Sequence, residues 1–233
     1  MKTNFHIHPI QAKALKVLLF IPTARFSQLN PDRVSTDQFN FHLKSLVDAD
    51  LIRKQDQKYL LTNKGKELAG RLDTEKEVIE RQAKISLAVV PIKSVKGIRY
   101  YLVHQRLKQP YFGYFGAING KIRWGEKVVD AAKRELFEET GLVAEKLTVL
   151  GVFHKSDYSA DGGLVEDKFF FRVRIDKFSG KLKEVVPEGK NYWLTKEQVE
   201  KLDKTYKHFP KFLSEYDKER IDFSEMDFLA EGY

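Results

Sequence analysis

The stretch GKIRWGEKVVDAAKRELFEETGL, residues 120–142, sets four glutamates between two glycines. Worked outward from its centre, residues 127–140 read as a helix. Ala131, Ala132, Leu136 and a run of Glu, Lys and Arg outweigh the β-branched Val128 and Val129. Gly141 stands where a helix end favours a left-handed residue. At about 100° per residue, Val129, Ala132 and Leu136 share one apolar stripe, and Glu135, Glu138 and Glu139 fall on the arc beside it. The spacing thus predicts a helix that packs one edge on a sheet and presents three carboxylates to one small space. Carboxylates crowded in this way repel, and more so when partly desolvated. Lysines four residues on would relieve the strain, yet positions 139, 142 and 143 are Glu, Leu and Val. A divalent cation relieves it instead, since hard Mg²⁺ takes oxygen ligands and bridges carboxylates to phosphates. Arg134, on the neighbouring edge, is placed to tie one glutamate and hold its rotamer.

The rest of the chain bounds what such a helix can serve. Its 233 residues, 42% hydrophobic and 32% charged, suit one large or two small globular domains with a real core. The absence of cysteine excludes disulfides and thiolate metal sites, which leaves oxygen and imidazole ligands. No run approaches the roughly 18 apolar residues of a membrane span, and MKTNFHIHPI has no export-signal character. A cytoplasmic location without a membrane partner is the default expectation. The net charge of +8 favours nucleic acid or phosphorylated small molecules as partners. It is divided as +3 over residues 1–80 and +5 over the remainder, so ordinary solubility charge is an equal reading.

Residues 1–80 and 81–233 follow different grammars. PIQAKALKVLLFI, residues 9–21, has apolar residues at helical spacing and Pro9 in its first turn. A short helix is expected over Phe26–Leu29. Ser35-Thr36-Asp37-Gln38 is a capping box before a helix whose Phe39, Leu43, Leu46 and Val47 make one face. IRKQDQKYLLT reads as a hairpin, and Thr62 caps a last helix through Leu68, Ala69 and Leu72 toward Ile79.

The stretch FNFHLKSLVDADLIRK…YLLTNKGKELA, residues 39–69, resembles the winged helix-turn-helix domains of bacterial regulators, with Asp50 in place of their usual glycine. The resemblance implies a recognition helix carrying Gln38, Asn40 and Lys44 and a wing carrying Arg53, Lys54 and Lys58. These residues face either double-stranded DNA or, if the module serves protein contact, a second copy of the chain in a homodimer.

From Lys84 onward strands dominate: ISLAVVPI, IRYYLVHQR, KLTVLGVFHKS, KFFFRVRID and NYWL, with a second capping box at Thr195–Gln198. Strands interleaved with two helices indicate an α/β sandwich, and the last thirty residues read as a closing helix and a loosely held tail. The fold class expected overall is α+β / α/β.

Gly120, Glu126, Arg134, Glu135, Leu136, Glu138, Glu139, Gly141 and Leu142 fit every position of G-x5-E-x7-R-E-U-x-E-E-x-G-U, where U is aliphatic. This is the box of the Nudix hydrolases, and the resemblance extends over about residues 83–205. It implies an α/β/α sandwich with a mixed sheet and hydrolysis of a nucleoside diphosphate linked to another moiety, with Mg²⁺ or Mn²⁺. Glu135, Glu138 and Glu139 would ligate metal, and the carbonyl before Gly120, that of Asn119, would add an oxygen. Glu126 would orient a metal water and Arg134 would brace the carboxylates. The general base stays open among Glu138, Glu166 and Asp167. Arg106 is the candidate for a phosphate, and Tyr111, Phe112 and Tyr114 are the candidates for stacking on a base. The rival reading is a transcriptional regulator whose Nudix domain senses a nucleotide.

Overall fold

A computed structural model describes residues 7–30, 32–218 and 221–229. The chain divides into two compact units, Met1–Arg81 and Gln82–Tyr233.

In the first unit α1 (Pro9–Phe20) starts at His8, whose ring accepts the Ile10 N–H while the His8 backbone N–H donates to Gln11 Oε1. After β1 (Ala24–Arg25) and α2 (Phe26–Leu29), Ser35 caps α3 (Thr36–Asp48) by accepting the Gln38 N–H. β2 (Ile52–Gln55) and β3 (Lys58–Leu61) form a hairpin about Asp56 and Gln57, both at positive φ as a tight two-residue turn requires. β1 adds to β3, giving the order β1-β3-β2. Phe39, Leu43 and Leu46 of α3 join Leu15, Leu18 and Leu51 in the core, while Val47, expected on that face, is exposed. Thr62 caps α4 (Asn63–Ala69), which rests directly on backbone: a Cβ on Gly65 would lie 1.8 Å from the Leu51 carbonyl oxygen.

The helix expected to run from Thr62 toward Ile79 ends at Ala69. Beyond it β4 (Leu72–Asp73) and β5 (Val78–Ile79) pair antiparallel. Asp73 Oδ1 accepts the N–H groups of Glu75 and Lys76, and Glu77 takes a positive φ. A short carboxylate bonding its own backbone competes with helix, and here it wins.

In the second unit β6 (Lys84–Val95) changes partner along its length. Its first half pairs with β9 (Ile118–Lys121) and its second with β7 (Ile98–Arg106). β8 (Phe115–Gly116) also pairs with β7. α5 (Val128–Thr140) leads into two sixteen-residue strands, β10 (Val143–Tyr158) and β11 (Leu164–Ser179). β12 (Val185–Val186) and β13 (Gly189–Leu194) follow, then α6 (Lys196–Glu200), α7 (Phe209–Leu213) and β14 (Asp222–Leu229). Among the described residues the sheet has nine strands. Its main path is β12-β13-β7-β6-β11-β10-β14, with β6–β11 and β10–β14 parallel and the other pairs antiparallel.

Alternation sends successive side chains to opposite faces of this mixed sheet. Leu87, Val89, Ile118, Val173 and Ile175 meet Ala131, Ala132 and Leu136 of α5 on one face. Val90, Tyr101, Val103 and Phe153 meet Val199 after the Thr195 capping box, together with Phe209, Phe212 and Leu213 of α7, on the other. The result is three layers, α/β/α.

The tail departs from the expected closing helix and loose end. α7 is five residues long, and residues 222–229 form an edge strand, with residues 230–233 outside the described set. Arg172 reaches across to Asp222 and Glu215, and Phe228 packs against Phe153 and His208. His154 bridges Glu225 at 2.9 Å and Asp167 at 2.7 Å. Among the described residues no helix is long and apolar enough to cross a membrane.

Candidate active site

One arginine gathers three of the four glutamates, Glu126, Glu135 and Glu138. Arg134 Nε and Nη2 donate to the two oxygens of Glu126 at 2.6 and 2.8 Å. Its Nη1 donates to Glu135 at 2.6 Å and to Glu138 at 3.1 Å, and Nη2 also reaches the Lys121 carbonyl. This is the planar fork that bidentate carboxylate recognition needs. Glu126 in addition accepts the Arg123 N–H at 2.9 Å, and the pair of contacts, Arg134 first, holds its carboxyl down to about 2. The helix ends at Gly141 with φ 72, its N–H bonded to the Phe137 carbonyl.

The buried face of α5 differs from the expected stripe. Ala131, Ala132, Glu135 and Leu136 are buried, while Val129 is 39% exposed and Val128 takes the inward place. The wheel is rotated because Glu135 itself points at the sheet. Its carboxylate occupies the space where a side chain of residue 120 would be: a Cβ on Gly120 would lie 1.8 Å from Glu135 Cδ and 2.2 Å from Oε2. Gly120 and its β6 partner Leu87 belong to the helix-side face, so the missing side chain opens a notch through the edge of the sheet. Asn119, the residue before the notch, lies in regular strand opposite Ala88, and its φ is not among the positive values.

Through this notch the carboxylates border a cavity of about 650 Å³ on the other face of the sheet. Asn119, Gly120, Arg123, Arg134 and the trio Glu135, Glu138 and Glu139 line one end. Burial pushes the Glu135 carboxyl above the usual carboxylate range against the pull of Arg134. Burial does the same to Glu139, reinforced by the charges of Glu188 and Glu135. Positive charge beyond Arg134 is therefore wanted at this end.

The donor set fits a hard divalent cation: three carboxylates lining one end of the cavity, and a glycine whose missing Cβ leaves room for one of them. Among the described residues no three His, Asp or Glu side chains stand as a finished ligand cage. Glu135 and Glu138 are turned to Arg134 instead, and a cation would draw on oxygens that now accept from its Nη1.

The other predicted residues divide. Arg106 lines the cavity, but its guanidinium is committed to the Pro110 and Gln109 carbonyls, bracing the loop that contains the cis Gln109–Pro110 bond. Tyr111, at positive φ, turns into the cavity and donates to Asp157 Oδ2 at 2.6 Å. Phe112 is exposed and Tyr114 packs on Tyr111 and Tyr206, so of the three expected stacking rings Tyr111 alone lines the cavity. Glu166 lines it too. Its burial would raise the carboxyl, yet Lys168, Lys84 and Lys155 together hold it below the usual value. Asp167 is bonded to His154, which stacks on Phe169.

Lys84, Lys155, Lys168, Glu188, Tyr206 and His208 also border the cavity, and sequence reasoning missed all six. Only strand register and loop closure bring them together, and no short motif carries that. Trp124, 89% exposed, follows Arg123, which lines the cavity and reaches Glu138 at 3.2 Å, and precedes Gly125 at φ 77.

Known proteins bear on this arrangement. An ADP-ribose pyrophosphatase of Methanocaldococcus jannaschii is 31% identical over 114 residues, which are 46% of this chain and 65% of that protein, just under two thirds of its length. A MutT protein from Bacillus halodurans superposes with a TM-score of 0.55 at 20% identity, covering 64% of this chain and 93% of the other. The NUDIX domain of Shewanella oneidensis NrtR, solved with ADP ribose, gives 0.52 at 14% identity, covering 67% and 97%. At those identities the two structures speak to fold alone. The NUDIX domain model matches residues 84–216, more than half of the chain and the whole of the carboxylate helix and its cavity, and the chain belongs to the NUDIX family.

Proposed function

We propose that the chain is a Mg²⁺- or Mn²⁺-dependent hydrolase that cleaves the diphosphate of a nucleoside diphosphate linked to another moiety: ADP-ribose, a dinucleotide or a nucleotide sugar. The observation that carries this reading is the notch at Gly120, which delivers Glu135 beside Glu138 and Glu139 to a cavity of nucleotide size. The archaeal relative named for ADP-ribose makes that compound the first substrate to test.

When bound, the divalent ion supplies charge against the diphosphate and lowers the pKa of water. Glu135, Glu138 and Glu139 would hold it, with the Asn119 carbonyl beside them. Glu126 acts through Arg134, whose fork fixes the rotamers of Glu135 and Glu138. Arg106 holds the loop that turns Tyr111 inward. Glu138, with 46% of its side chain exposed, is the carboxylate placed to take a proton from attacking water. Glu166 is a poorer base, because Lys168 and Lys84 already share one of its oxygens. Purified protein with Mg²⁺ is expected to turn over at least one compound among ADP-ribose, NADH, dinucleoside polyphosphates and nucleotide sugars, read by chromatography of the products. No turnover on that panel, with metal bound, defeats the reading.

We further propose that the first unit is a winged helix-turn-helix-like module that contacts duplex DNA, with the second unit answering to the nucleotide. In its support, Gln38, Asn40 and Lys44 of α3 and Arg53, Lys54 and Lys58 of the β2–β3 hairpin are all exposed. Polar side chains on one helix can read base edges, and cations supply phosphate contacts. Electrophoretic retardation over a salt series is expected to show binding that weakens with salt and in Lys44→Ala. Its absence, together with a mass that rises with concentration, assigns the module to a homodimer contact instead.

A further inference from the structure

Three lysines far apart in the chain stand side by side inside the cavity. In the sheet register Lys84 of β6 is the partner of Lys168 of β11, and Lys168 is the partner of Lys155 of β10. Partners across a sheet share a face, and all three line the cavity that Glu135, Glu138 and Glu139 border. Like charges directly opposite one another destabilise a sheet, and here the positions are partly dry, with Lys155 only 5% exposed.

Two carboxylates face the row. Glu166 Oε1 accepts from Lys168 at 2.7 Å and from Lys84 at 3.4 Å, and Asp157 pairs with Lys155. The groups packed beside Lys155 add no charge. Tyr111 donates its hydroxyl to Asp157, the rings of Tyr111, Tyr206 and Phe228 lie under the Lys155 ammonium, and burial keeps the nearby His208 imidazole neutral. Three ammoniums against two carboxylates leave one positive charge uncovered. The row has its own aromatic wall and lies on three strands, whereas the carboxylate trio lies on α5.

We propose that Lys84, Lys168 and Lys155 form an anion seat for a phosphate of the substrate other than the two joined by the bond that is cleaved. The preferred compound then carries a third phosphate, either as a phosphomonoester on one of the linked moieties or as a longer phosphate chain. Ammoniums in a partly desolvated cavity bind phosphate oxygens through charge-assisted hydrogen bonds, which are the stronger kind. What carries the phosphate rests on the hydrolase reading; the seat itself does not.

Isothermal titration of the full chain with tripolyphosphate, EDTA present, reads the seat without turnover. Binding is expected in the wild type, about tenfold weaker in Lys84→Gln and restored in Lys84→Arg. Lys84 is 44% exposed in its side chain, so its replacement leaves no hole, and a thermal melt checks that the variant is folded. Absence of binding, or equal affinity in wild type, Lys84→Gln and Lys168→Met, overturns the seat. Two matched pairs then identify the carrier: ADP-ribose with and without a 2′-phosphate, and diadenosine tetraphosphate against diadenosine diphosphate. A kcat/KM ratio of about ten or more in one pair, falling toward one in Lys84→Gln, supports the assignment. Ratios near one in both pairs overturn it. Tripolyphosphate binding without turnover of any compound sustains the seat and defeats the hydrolase reading.

Discussion

Glu138→Gln is expected to lower kcat by about two to three orders of magnitude while the protein stays folded. The side chain is half-exposed and its ion pairs to Arg123 and Arg134 lie near the surface, where such pairs contribute roughly 0–1 kcal/mol. On the proposed mechanism, what the amide removes is an anionic oxygen that would serve as a ligand for a cation and as an acceptor for a proton. Glu139→Gln separates function from stability more sharply. Glu139 is crowded by Glu135 and Glu188, so a neutral amide relieves repulsion in the metal-free protein. The melting temperature of Glu139→Gln is expected to equal or exceed that of the wild type while turnover falls, the pattern of a residue kept for activity at the expense of stability. Added Mg²⁺ then raises the melting temperature of the wild type more than that of the variant. Undiminished turnover in both variants would remove the carboxylate trio from the chemistry.

Gly120→Ala is expected to lower both stability and turnover. The new Cβ would fall 1.8 Å from Glu135 Cδ and 2.3 Å from Cγ. Glu135 has little freedom to retreat, because Arg134 holds it at 2.6 Å and its side chain is almost buried. Either the carboxylate leaves the notch or β9 shifts from β6. Overpacking of this kind costs about 1–3 kcal/mol, and losing the trio's geometry lowers turnover by at least about tenfold. The double variant Gly120→Ala, Glu135→Asp tests the cause. A shorter acid is expected to recover part of the lost stability, seen as a higher denaturation midpoint, and little of the activity. An alanine variant with wild-type stability and turnover would mean that the notch is not needed.

How much of this was legible in the chain follows from the range of the signal. The carboxylate helix, its left-handed stop at Gly141 and the Thr195 capping box depend on residues within one or two turns, and the sequence displays them. The buried side of that helix was misjudged by a fraction of a turn, with Val129 placed inward. A helical wheel has no means of knowing that a glycine fifteen residues earlier opens a seat for Glu135. The first unit's last helix stops at Ala69 with Gly70 as its cap, and Asp73 turns the chain beyond it through backbone bonds that apolar periodicity does not register. The tail's charges and aromatics suggested a loose end because nothing local announces that Asp222 will find Arg172 fifty residues away. The lysine row is the extreme case: positions 84, 155 and 168 become neighbours only once one parallel and one antiparallel register are set.

Two tryptophans make up the chain's whole indole content, and their surroundings differ strongly. Trp193 stacks on Phe178 with Lys93 4.2 Å above its ring, whereas Trp124 stands in water next in the chain to Arg123, which lines the cavity. The protein thus carries its own optical gauge. The red-shifted component of its fluorescence is expected to come from Trp124, and a Trp193→Phe variant would isolate it. Nucleotide arriving beside Arg123 should quench or blue-shift that emission at concentrations where no product has yet formed, giving occupancy without a label.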